Sequence, residues 1–80
     1  SYEYDNKYNL NIFSFSFHVL VEKNIVFICL TKKETGNRIP FLFLNDIKSK
    51  YFEGDTEDFE IYLSNKMKFY TTTNKTIKVQ

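Results

Sequence analysis

Phe13-Ser14-Phe15-Ser16-Phe17-His18-Val19-Leu20-Val21 sets an aromatic or branched side chain at every second position, with Ser14, Ser16 and His18 between them. A period of two marks a strand with one buried face. Phe13, Phe15, Phe17, Val19 and Val21 are therefore expected in a core, and His18 on the polar side. The run is long for one strand and invites a bend or bulge. Glu22-Lys23-Asn24 then interrupts at hairpin-loop length. Ile25-Val26-Phe27-Ile28-Cys29-Leu30 follows with no alternation, which reads as a central strand covered on both faces. The two strands are expected to pair antiparallel.

Upstream, Ser1 to Lys7 is polar with scattered Tyr, a loop or a frayed strand edge. Downstream, Lys32 to Asn37 is a polar loop containing Gly36. Pro40 suits the first turn of a helix, where a missing N–H costs nothing. Phe41, Leu44 and Ile47 share one side of that helix with Phe43 and Tyr51. Lys48 and Lys50 favour its C-terminal dipole, and Gly54 can close it. Asp55 or Thr56 can cap a second helix carrying Phe59, Tyr62, Leu63, Met67 and Tyr70 at a period near 3.6. That helix is expected to fade at Thr71-Thr72-Thr73, since β-branched residues are weak helix formers.

The residues alone thus give an α+β chain in the order strand, strand, helix, helix. A two-stranded ribbon is rarely stable in water, and the all-apolar second strand wants a neighbour on its free edge. The pattern calls for further strands or another chain to cover it. Self-association of the fragment through that edge and its apolar face is a corresponding expectation.

With 80 residues the chain holds one domain at most. Nine Phe and six Tyr give so short a chain a large apolar area to bury. The formal charge of +1, from 11 basic and 10 acidic residues, is interspersed rather than gathered on one face. That argues against nucleic acid. Stacking of bases on Phe13, Phe15 and Phe17 would call for flanking Lys or Arg, where the sequence has Ser and His. One cysteine, Cys29, in an apolar run suggests a reducing compartment and a buried thiol. Ser1-Tyr2-Glu3-Tyr4-Asp5 has no signal-peptide pattern, and no stretch approaches the roughly 20 apolar residues of a membrane span. A soluble, cytosolic chain is expected.

Catalytic groups are sparse. His18 is the sole histidine and has no oriented partner or nucleophile in sequence. Cys29 reads as a packing residue. Glu53, Asp55, Glu57 and Asp58 lack the Gly and Asx spacing of a calcium loop and read as helix-start charges. Gly36 stands alone, so no phosphate-cradling loop is present. Asn74-Lys75-Thr76 matches a glycosylation sequon, which carries no meaning in the cytosol. No enzyme activity, metal or cofactor is expected.

The segment Phe17 to Thr31 resembles the central hairpin of longin domains, the cytosolic heads of synaptobrevin-like R-SNAREs (vesicle-associated membrane proteins). Gly36-Asn37-Arg38-Ile39-Pro40-Phe41-Leu42-Phe43-Leu44-Asn45-Asp46-Ile47 is similar to the start of their second helix. Asp58-Phe59, Leu63 and Met67 are similar to apolar positions of their third. The register runs without gaps from Lys7 to Ile47. The resemblance implies the longin (profilin-like) fold, a five-stranded antiparallel sheet with one helix on one face and two on the other. It implies that this chain begins at the third strand. Residues 1–73 would be a partial longin domain and 74–80 a linker or the start of a SNARE motif. A membrane would be met only through a C-terminal anchor beyond Gln80, on the cytosolic face of a vesicle or endomembrane.

The same resemblance implies a regulatory role in fusion and sorting. Its partners would be the SNARE motif of its own chain, cognate SNAREs and trafficking adaptors. Tyr8, Leu10 and Ile12 fall by register on the partner-facing side of the third strand, as one wall of an apolar groove for an amphipathic segment. Longin-like small subunits of adaptor or tethering complexes share the fold and form an alternative. A small nucleic-acid-binding module is a remoter one.

Overall fold

A computed structural model describes residues 6–54 and 58–79, from residue 72 onward by backbone alone. Three strands, β1 (Lys7–Ile12), β2 (Phe15–Glu22) and β3 (Ile25–Lys32), form an antiparallel meander. A 3-10 turn over Lys33–Thr35 leads into α1 (Arg38–Phe52), followed by α2 (Phe59–Val79). The α+β class holds, and the order gains a strand at its front. The period-two run is interrupted rather than bent. Phe13 and Ser14 form a two-residue turn, so Ile12 pairs with Phe15 and Leu10 with Phe17.

The second hairpin turns at Lys23 and Asn24, both at positive φ, 51° and 66°. Two positive φ values are what a tight hairpin of the right twist requires. Asn24 accepts this readily, whereas Lys23 does so at some cost. The Lys23 ammonium lies 4.9 Å from the centre of the Phe52 ring, tying the turn to the end of α1.

The helices pack on one face of the sheet only. Leu20, Phe27, Leu44 and Ile47 form the buried centre, with Phe41, Phe43, Phe52, Phe59, Tyr62 and Leu63 around it. Pro40 lies in the first turn of α1, and Gly54, at φ 86°, follows its last residues with its N–H on the Tyr51 carbonyl. The cap expected at Asp55 or Thr56 lies outside the described residues. α2 does not fade at Thr71–Thr73 and stays helical to Val79. The propensity gap of a Thr is only about 0.5 kcal/mol, too small to end a helix already propagating.

Two expectations about faces are overturned. Ser16, His18 and Leu20 are the buried residues of β2, while Phe15 is exposed and Phe17, Val19 and Val21 are half-buried. Period two is satisfied by either phase, and the position of the helices decides between them. The short link from Lys32 to α1 sets Ile39 and Pro40 beside Cys29 and Thr31, so the face bearing His18 is the one covered. Likewise β3 is not covered twice. Its Phe27 is buried, but Val26, Ile28 and Leu30 are exposed, and among the described residues no strand pairs with its outer edge.

Candidate functional site

The uncovered face of the sheet is apolar from edge to edge. Strand pairing lays it out in rows: Ile12 beside Phe15, then Leu10–Phe17–Leu30, then Tyr8–Val19–Ile28, then Val21–Val26. Side chains alternate across a strand, so these residues share one side while Asn9, Asn11, His18 and Cys29 share the other. Tyr8, Leu10 and Ile12 remain 54%, 57% and 41% exposed, and Ile28 59%. The structure therefore brings the three sequence-predicted site residues together on β1. It adds Phe15, Phe17, Ile28 and Leu30, which sequence reasoning had assigned to a core. The available signal was the unbroken apolar run of β3, which gives that strand two apolar faces.

The scale of this face is informative. A half-exposed aromatic or branched side chain retains roughly 100 Å². Summed over the face, this is of the order of the ~800 Å² that a standard protein interface buries on each partner. Monomeric proteins rarely leave so contiguous an apolar patch open. Lys32, opposite Phe15, is the single charged side chain in these rows.

The covered side holds a polar cluster. His18 is fully buried, which corrects its assignment to the polar, solvent-facing side of the strand. Thr31 spends its hydroxyl proton on the Lys32 carbonyl, at 3.1 Å. It therefore accepts from His18 Nε2–H at 2.9 Å. Nδ1 is left as acceptor, 3.4 Å from the Asn9 side-chain amide, and Phe41 meets the imidazole edge-on at 5.6 Å. Burial holds the His18 pKa below its ordinary value, partly opposed by the Asn37 side chain. Ser16 donates to Asn11 in the same cluster. These pairings explain how serine and histidine sit under helices without an unsatisfied group.

A cleft of about 290 Å³ opens between β3, α1 and α2, lined by Cys29, Thr31, Ile39, Phe43, Met67 and Tyr70. Burial pushes the Cys29 thiol up, away from the reactive thiolate. His18 faces Cys29 across the strand pair, but its ring nitrogens are engaged by Thr31 and Asn9. Among the described residues no three His, Cys, Asp or Glu side chains converge for a metal, and no helix is long and apolar enough to cross a membrane.

The family whose model matches is Longin, described as a regulated-SNARE-like domain, over residues 3–76. Among curated proteins, vesicle-associated membrane protein 7B of Dictyostelium discoideum is 30% identical over 83 aligned positions, covering 89% of this chain. The chain spans about a third (32%) of that relative's length. No solved structure matches the chain.

Proposed function

Because the chain belongs to the Longin family of regulated-SNARE-like domains, we propose that it is the regulatory head of an R-SNARE acting in vesicle trafficking and fusion. In this reading it is a binding domain and not a catalyst. Its apolar sheet face receives an amphipathic segment, either the SNARE motif of its own chain or a trafficking adaptor. Tyr8, Leu10 and Ile12 form one wall of the groove. The observation that carries the proposal is the continuous apolar surface on which these three residues lie, exposed on an edge strand.

The similarity to a vesicle-associated membrane protein supports the SNARE reading over an adaptor or tether subunit. The near absence of cations among the rows of the face disfavours single-stranded nucleic acid. Residues 1–73 would then be the longin part. Residues 74–80, whose backbone continues α2 as far as Val79, would lead toward the SNARE motif. The protein would work on the cytosolic face of a vesicle or endomembrane.

Binding of an R-SNARE-motif peptide, followed by fluorescence anisotropy, is the test. Tyr8→Ser combined with Leu10→Ser removes two apolar contacts and should weaken binding by about tenfold or more. Circular dichroism should be unchanged, since both side chains are exposed. Unaltered affinity in a folded double variant would remove these residues from the site.

A further inference from the structure

The turn between β1 and β2 sets a phenylalanine where the backbone favours glycine. Phe13 has φ 56°, a region that a bulky side chain enters only at a cost in strain. Its ring is 90% exposed, so packing within the domain does not offset that strain. Strain of this kind, retained without a folding benefit, points to use.

The surroundings of the ring say what kind of use. The Lys33 N–H donates to the Ser14 carbonyl at 2.9 Å, fastening the end of β3 to the turn. Lys32 stands directly opposite Phe15. Two lysines therefore flank the tip, and neither makes an ion pair among the described residues. Arg38 opens α1 a few residues on, and Glu34 is the lone carboxylate between Thr31 and Arg38. Ile12 and Phe15, both exposed, stand immediately behind Phe13.

We propose that this tip is a shallow membrane contact. Phe13 enters the interfacial layer of an anionic bilayer, with Ile12 and Phe15 behind it, while Lys32 and Lys33 meet the negative headgroups. Aromatic rings settle at the headgroup level, and lysines are drawn to an anionic leaflet. A bilayer of this composition accounts for both the bare ring and the unpaired cations. A protein pocket for the ring would account for the ring alone. One ring and two or three cations give reversible contact, well short of stable anchoring. The contact shares Ile12, Phe15 and Lys32 with the end row of the sheet face, whereas Phe13 lies in the turn beyond the paired rows and belongs to the membrane contact alone. It adds a membrane contact within the domain to the one expected only through a C-terminal anchor.

The experiment is co-sedimentation of the chain with phosphatidylcholine vesicles, with and without about one third phosphatidylserine, at low and high salt. The unaltered chain should partition onto the serine-containing vesicles about tenfold more strongly, and salt should reduce the difference. Phe13→Gly should lower that partition about fivefold or more, as should Lys32→Glu combined with Lys33→Glu. Both variants stay folded, because glycine accepts the positive φ and the lysines are exposed. Equal partition onto the two vesicle types overturns the proposal, and so does an unaltered chain that binds no better than Phe13→Gly. If Phe13→Gly leaves vesicle binding intact but weakens the R-SNARE peptide, the tip is a protein contact and the membrane assignment falls.

Discussion

Tyr70 Oη donates to Asp46 Oδ2 at 2.6 Å, joining the middle of α2 to the middle of α1. Lys66 reaches the same carboxylate at 3.3 Å, and Tyr62 donates to the Asp46 carbonyl at 3.4 Å. One aspartate thus gathers three side chains of the second helix. Hydrogen bonds to a charged group contribute about 1.5–3 kcal/mol. Tyr70→Phe keeps the ring against Phe43 and removes only the hydroxyl. It should lower stability by about 1–2 kcal/mol in urea titration.

The same contact makes a pH prediction at the alkaline end. Burial, followed by the Asp46 hydrogen bond and charge, pushes the Tyr70 pKa up to about 12. A folded pKa above the unfolded value means the stabilisation is complete below about pH 10 and is lost as pH rises toward 12. Far-UV circular dichroism during an alkaline titration should show Tyr70→Phe losing less stability over that interval than the unaltered chain.

At the acid end His18 governs. Its pKa is held low by burial, so the unfolded chain takes up a proton before the folded one does. Stability should be full above about pH 6.5 and fall below it, until the folded state protonates as well. His18 is the only histidine, so a slope between about pH 6.5 and 5 belongs to it. Melting temperatures at pH 7.5 and 5.5 should differ in the unaltered chain and converge in His18→Gln, which is itself destabilised. A slope that survives the substitution would refute the assignment.

Leu44 is 2% exposed at the centre of the buried cluster. Leu44→Ala should cost about 2–5 kcal/mol through lost burial and a residual cavity. Small domains hold roughly 5–15 kcal/mol in all. The variant should therefore be largely unfolded near 40 °C by circular dichroism, while Leu42→Ala, on the exposed side of the same helix, should melt almost unchanged.

The open sheet face predicts concentration-dependent association of the isolated chain. Light scattering should show mass rising with concentration. Ile28→Glu, on the outer strand of that face and 59% exposed, should return a monomer of unchanged melting temperature. A monomer at high concentration in the unaltered chain would contradict the expectation.

The hairpin Phe15–Lys32 and both helices were legible because their periods and the Pro40 and Gly54 signals are local. The split of the first strand was not, because Phe13-Ser14 carries none of the Gly, Asn or Asp that mark a two-residue turn. The face of β2 was read in the wrong phase for a different reason. Only register shows that Thr31 and Asn9 stand ready for His18 and Asn11 for Ser16, and without those partners a buried Ser-x-His is an unreasonable choice. For the site, Tyr8, Leu10 and Ile12 came from family resemblance. The residues alone had left that stretch split between a frayed edge and the start of a longer strand.

Every strand of the sheet pairs with its neighbour in sequence, whereas α2 is held by side chains alone, polar ones at Asp46 and apolar ones from Phe59, Tyr62 and Leu63 against the core. In hydrogen-exchange terms the molecule should open in order. Amides of α2 should exchange first, by lifting of that helix alone, and those of β2, bonded on both sides, last. A peptide that competes with α2 for the surface of α1 it covers would then need to overcome only the smaller opening energy, leaving the meander folded beneath it.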